Sequence, residues 1–293
     1  MNNAQALHDL GQSLWLDNIT RDLLDSGTLR RYIDDYSITG LTSNPTIFDE
    51  AIGGSSAYDA GIRSKAQSGR AGEALFMDLA LEDLRRAAEM FEPAFVASDG
   101  VDGWVSMEVS PLLAADTQGS IAAAARIHDE AGCPNLFVKI PGTPEGVPAI
   151  EESIFNGVPI NVTLLFSREQ YLAVADAHMR GLERRIAAGH SPRVASVASL
   201  FVSRWDKAVS SKVPTELRNR LGIAIAGRTY RAYCELRARR AGASWLRPGR
   251  DHSDCCGRAR VPRIQRRRKP CTSRRWLRRI RSTRCPRRHC ARG

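Results

Sequence analysis

The amino-acid sequence predicts a parallel α/β fold, and within that class a closed (β/α)8 barrel rather than an open sheet. Three observations predict it. Short apolar runs rich in Val, Ile, Leu or Phe alternate six times with longer segments of helical spacing, the order expected of parallel strands joined by crossover helices. Neither GxGxxG nor GxxxxGK(S/T) occurs, so the glycine-rich first turn of an open nucleotide-binding sheet is missing. Each apolar run also carries a polar or ionisable residue inside it or at its C-terminal end, the place where barrels gather reactive side chains.

In chain order the strand candidates are residues 13–19 (SLWLDNI), 37–48 (SITGLTSNPTIF), 103–111 (GWVSMEVSP), 135–143 (NLFVKIPGT), 158–167 (VPINVTLLFS) and 193–204 (RVASVASLFVSR). Between them, residues 71–95 place Leu75, Leu79 and Leu81 to Leu84 near i+3 and i+4 steps, and residues 116–132 repeat that spacing with Ile121, Ala125 and His128. Residues 167–189 form a third long helical segment. Eight strand-helix units close a barrel and six are recognisable, so the expected fold is an incomplete TIM barrel. With 293 residues the chain is long enough for one large core. MNNAQALHDLGQ lacks the basic start and apolar block of a signal peptide, and no run of 18 apolar residues occurs, so neither export nor a membrane partner is expected.

The net charge of +11 is unevenly placed. Residues 236–293 hold 21 of the 43 basic residues and only two of the 32 acids, which makes that tail +19 and the body −8. A specific nucleic-acid partner is therefore not expected for the body. Twenty of those 21 basic residues are arginine, with Lys269 the exception, and no five-residue apolar alternation survives among them. Such a composition looks like a reading-frame shift in GC-rich coding sequence; a basic polyanion-binding arm is the other reading. Domain boundaries are accordingly expected at 1–235 for the barrel and 236–293 for the tail. The tail has too little apolar surface to offset ordering entropy, so it is expected to be disordered. Cys133 and Cys234 are isolated in the body, which fits a reducing, cytoplasmic compartment. Cys285, His289 and Cys290 form only a loose cluster without a CxxC pair, and no metal site is expected there.

The polar residues on the strands are Asp17, Thr42 and Asn44, Glu108, Lys139, Asn161 and Thr163, then Ser199 and Arg204. An unpaired buried charge costs several kcal/mol, so one on each strand is expensive and its recurrence points to a shared site. Singly, each could be a satisfied core polar group, and Asp17 and Asn44, next to helix starts, could be caps. Lys139 is the most informative. In Phe137-Val138-Lys139-Ile140 its amine hangs from the middle of an apolar strand, where desolvation disfavours the charged form. A neutral amine is a nucleophile toward carbonyls, which makes this lysine a candidate Schiff-base former; a buried ion pair with Glu108 or Asp17 is the alternative, and the two are compatible.

The segments LWLDNI, GLTSNPTIF, VSMEVSP, LFVKIPGTPEG, PINVTLLFS and SVASLFVSRWD, in that order, resemble the strand signatures of transaldolase, a class I aldolase-type barrel of the pentose phosphate pathway. The resemblance covers about residues 10–235 and is nearest to the longer bacterial type, whose second strand ends in TSNP. It implies that Lys139 forms the imine with a ketose phosphate and that Asp17 is the acid/base of C–C cleavage. Glu108 and Thr163 would position a water for proton transfer. Thr42, Asn44, Asn161 and Ser199 would hold substrate hydroxyls, and Arg204 a phosphate. Sugar phosphates are the implied substrates, and neither a metal nor any other cofactor is required.

Overall fold

A computed structural model of the chain describes residues 3–241, with side chains through residue 238. Six strands form one sheet: β1 (Leu14–Asp17), β2 (Ile38–Thr42), β3 (Trp104–Glu108), β4 (Leu136–Pro141), β5 (Ile160–Leu165) and β6 (Ser196–Leu200). They are hydrogen-bonded in the order β1-β2-β3-β4-β5-β6, every pair parallel. Sequential order decides the architecture. A doubly wound sheet reverses direction at a switch point, whereas a chain that adds each new strand beside the last curls toward a barrel. The fold is α/β, a curled half-barrel that amounts to an incomplete TIM barrel, with six strands among the described residues.

Helices fill every connection. Preceding the sheet is α1 (Asn3–Asp9); between β1 and β2 lie α2 (Arg21–Asp25) and α3 (Thr28–Tyr36). The segment from β2 to β3 holds α4 (Pro45–Gly54), α5 (Asp59–Gln67) and α6 (Gly72–Ala97). Then α7 (Thr117–Ala131), α8 (Gly146–Phe155) and α9 (Arg168–Ala187) alternate with β4, β5 and β6, and α10 (Ser203–Val209) and α11 (Leu221–Ala241) follow. Two of the longer ones, α7 and α9, start where cap chemistry dictates: Asp116 accepts from the Gly119 N–H and Ser167 from the Gln170 N–H, while Gly132 ends α7 in the left-handed conformation. In α7 the buried face is Ser120, Ala123, Ala124, Ile127 and Ala131, so the stripe expected through Ile121, Ala125 and His128 is its half-buried flank. An alanine-rich helix carries too little contrast to set its own phase. The helix α11 runs six residues past position 235, packing Tyr233 and Ala232 against Tyr171 of α9. The remaining tail, with its Cys285–Cys290 cluster, lies outside the described residues. No helix among the described residues is long and apolar enough to cross a membrane.

Strand residues alternate between two environments. Leu16, Leu41, Val105, Met107, Val138, Ile140, Ile160 and Val162 join the main core with helix residues such as Leu84, Phe91, Ile127, Ile150 and Val174. The opposite parity faces the barrel interior. Its lower layer is aromatic: Phe137 stacks on Trp104 with centroids 3.9 Å apart and on Trp15 at 6.2 Å. Gly40 makes room for that layer, since a Cβ there would sit 2.6 Å from the Trp15 ring. Below it, α1 buries none of its residues and is held by polar contacts, Ser37 Oγ donating to Gln5 at 2.7 Å and His8 lying 3.5 Å from Asp102. The helical side of the β1–β2 region is braced by a buried network. Arg21 Nε donates to Asp83 at 2.9 Å and the Tyr58 hydroxyl donates to the same carboxylate at 2.7 Å. Burial pushes the Asp83 carboxyl up and, with Asp83 beside it, keeps Tyr58 a hydrogen-bond donor at ordinary pH.

Candidate active site

Above the aromatic layer the interior turns polar. Strand register sets side by side Asp17 and Thr42, Thr42 and Ser106, Glu108 and Lys139, Lys139 and Asn161. All share one parity, so the alternation that sends Val138 and Ile140 into the core sends Lys139 inward. Its ammonium lies 3.0 Å from a Glu108 carboxylate oxygen and donates to the Ser43 carbonyl at 2.8 Å. The side chains are only 9% and 17% exposed, so the pair is largely desolvated and removing either partner would strand the other. The ion-pair alternative for Lys139 is thus realised with Glu108. Among the described residues, the Glu108 carboxylate and the Ser43 carbonyl are the two acceptors that meet the Lys139 Nζ.

The loop after β4 explains the PGTPEG sequence. The Thr143 hydroxyl accepts from the Gly146 N–H at 3.0 Å and donates to the Ala114 carbonyl at 3.2 Å, pinning the turn into α8. Gly146 packs so tightly on the Pro141 carbonyl oxygen that any Cβ would collide with it. In β5 the pairing with β6 shifts between Val162 and Leu165, and Leu164 has a positive φ of 58°. A bulge of this kind re-aims the side chains around it, and Thr163 sits within it, fully buried.

The other expected residues divide. Thr42 and Asn161 are buried on the inward face, and Ser199 of β6 donates to Asn161 Oδ1 at 2.8 Å. Asn44 is the N-cap of α4, its Oδ1 accepting from the Ile47 N–H at 3.0 Å, so the capping reading holds for it. Asp17 ends β1 but is exposed rather than buried, and the cap of α2 is Thr20. Arg204 is not at a strand end: β6 stops at Leu200, and Arg204 lies exposed in the first turn of α10, its guanidinium over the Phe201 and Phe166 rings at 5.0 and 5.8 Å. Trp205 holds that helix in place by donating from Nε1 to the Phe166 carbonyl at 2.8 Å.

Two residues of this constellation are missing from the expected set. Ser106 is fully buried and donates to Thr42 Oγ1 at 3.0 Å, and Ser43 supplies the carbonyl that meets Lys139. The only sequence signal for them is position: each sits one or two residues from an expected site residue.

Residues 14–248 match the family model described as Transaldolase/Fructose-6-phosphate aldolase. The chain belongs to the transaldolase/fructose-6-phosphate aldolase family. It is 44% identical over 206 residues to Transaldolase 2 of Nostoc punctiforme, an alignment covering 70% of this chain and 54% of that protein. It is 43% identical over 240 residues to the Transaldolase of Saccharopolyspora erythraea, covering 80% and 65% respectively. The Mycobacterium tuberculosis Transaldolase is 41% identical over 242 residues, with the same coverage. The chain thus spans between about half and two thirds of the length of the curated relatives it matches.

Proposed function

We propose that the chain is a transaldolase, moving a dihydroxyacetone unit between sugar phosphates: sedoheptulose 7-phosphate and glyceraldehyde 3-phosphate give erythrose 4-phosphate and fructose 6-phosphate. The observation that carries the reading is the Lys139 ammonium, inward-facing and 3.0 Å from Glu108 in a chain of this family. Glu108 is the nearest base to take the proton that Lys139 must lose before attack. The free amine adds to the ketose C2 carbonyl, and the carbinolamine loses water to give an imine. Glu108 and Thr163 position the water that carries those protons. Asp17 takes the C4 hydroxyl proton as the C3–C4 bond breaks; the aldose leaves, and the electron pair stays on the imine as a three-carbon enamine. An incoming aldose is attacked by that enamine, its oxygen regains the proton from Asp17, and hydrolysis frees Lys139. Thr42, Asn44, Asn161 and Ser199 hold the sugar hydroxyls, and Arg204 takes a phosphate through charge-assisted bonds. Strand-borne groups suit an intermediate that must wait without being quenched. A cytoplasmic location fits such an enzyme.

The test is product analysis with fructose 6-phosphate and erythrose 4-phosphate. Sedoheptulose 7-phosphate as product supports transfer; free dihydroxyacetone would make the chain a simple aldolase, and no turnover would remove the activity. One observation favours a second reading, an inactive truncated homologue: the described residues supply six strands where eight close a barrel. In that reading the basic tail binds polyanions nonspecifically, and the binding is salt-dependent and vanishes on deletion of residues 236–293.

A further inference from the structure

Ser106 lies two residues before Glu108 on the same inward face of β3, with no exposed surface. It connects to both sides of the site. On one side the Asn161 amide donates from Nδ2 toward Ser106 Oγ at a long 3.5 Å, while Asn161 Oδ1 accepts from Ser199 at 2.8 Å. An amide nitrogen can only donate, so Ser106 Oγ accepts there and its own proton goes elsewhere. It goes to Thr42 Oγ1, 3.0 Å away. The chain therefore runs one way, from Ser199 through Asn161 and Ser106 to Thr42. The Thr42 hydroxyl receives a bond but has no acceptor for its own proton among the described residues, although Thr42 is 3% exposed. A buried donor with no acceptor is costly unless a ligand completes it. The main chain of Ser106 makes a second connection. Its carbonyl accepts from the Ser43 N–H at 3.3 Å and from the Ser43 hydroxyl at 2.8 Å, and the Ser43 carbonyl is the one that Lys139 meets.

We propose that Ser106 is a positioning residue for the imine chemistry: by accepting from Asn161 it turns its proton onto Thr42 and leaves the Thr42 hydroxyl as a hydrogen-bond donor to an oxygen of the bound ketose. The inference rests on the transaldolase reading and adds a direction to the site. The hydroxyl of Thr42 donates to the sugar, and the amide orientation of Asn161 is set from both ends. In an alanine variant Thr42 is released to rotate and Asn161 loses its Nδ2 partner, so the sugar carbonyl is presented to Lys139 in several poses instead of one.

The test uses the full chain with fructose 6-phosphate and cyanoborohydride, reading the rate of adduct formation on Lys139 by peptide mass spectrometry. Five proteins are compared: wild type, Ser106→Ala, Ser106→Cys, Thr42→Val and the Ser106→Ala, Thr42→Val double variant. Loss of one orienting contact is expected to slow adduct formation about tenfold or more for Ser106→Ala. Ser106→Cys should restore part of the rate, because a thiol is a weak donor and acceptor of similar volume. That variant carries the test if thermal unfolding shows the alanine variant misfolded. The double variant should be no slower than the slower single one, since both changes remove the same contact. An unchanged rate in Ser106→Ala, or losses that multiply in the double variant, overturns the proposal and leaves the function intact. A folded wild type that forms no adduct removes the imine reading and this inference together.

Discussion

The middle and the edges of the sheet are built differently. Strands β2, β3, β4 and β5 are paired on both sides and buried along nearly their whole length, whereas β1 and β6 each pair with one neighbour among the described residues and are half-exposed. The chemistry divides along the same line. Lys139, Glu108, Thr42 and Asn161 stand on the inner wall, while Asp17, Ser199 and Arg204 stand on or beyond the edges. A parallel pair buried on both faces tolerates an ion pair only where geometry compensates desolvation, and the cross-strand Glu108–Lys139 contact meets that demand. The edge groups are solvent-accessible and depend on what stands beside them. Imine formation should therefore be a property of the wall, and cleavage and phosphate recognition properties of the rims.

The largest expected effect is at the wall. Lys139→Ala should abolish both adduct formation and turnover, read by mass spectrometry and a coupled assay; residual adduct elsewhere on the chain would break the division at once. Next comes the rim acid. Asp17→Asn should lower turnover by about 10²- to 10⁴-fold, the usual weight of a general acid/base, while cyanoborohydride still labels Lys139 at close to the wild-type rate. Parallel loss of both would show that wall and rim act as one unit. The Arg204→Ala variant should raise the half-saturating concentration of fructose 6-phosphate by about 10- to 100-fold, as expected for a hydrogen bond to a charged group, with labelling by unphosphorylated dihydroxyacetone unchanged. The mildest expectation concerns the protein without substrate: in hydrogen exchange the amides of β3 and β4 should be protected longer than those of β1 and β6. Equal protection would mean that the edges are covered.

Much of this architecture was legible because burial on both faces leaves short apolar runs that no soluble helix would show. Lys139 stood out for the same reason, an ammonium in FVKI being too costly to be incidental. Arg204 was misplaced by the same logic. RVASVASLFVSR reads as one apolar run, yet the strand stops at Leu200 and the chain turns into α10, a boundary with no glycine or proline to announce it. Ser106 and Ser43 are not legible because a small hydroxyl hardly disturbs an apolar pattern, so their roles emerge only from the hydrogen bonds that join Ser106 to Asn161 and Thr42 and the Ser43 carbonyl to Lys139. The apolar surroundings of Asp17 in LWLDNI imply burial, but the residue ends its strand and meets solvent. The helix α1 gives no sequence signal, since NAQALHD buries nothing and has no apolar stripe.

The account stands on Lys139 condensing with a ketose. Incubating the folded full-length chain with fructose 6-phosphate and cyanoborohydride, then mapping the digested peptides, tests it most directly. A reduced sugar adduct confined to the peptide that carries Lys139 is the predicted result. An unmodified Lys139, or labelling spread evenly over the surface lysines, would contradict it.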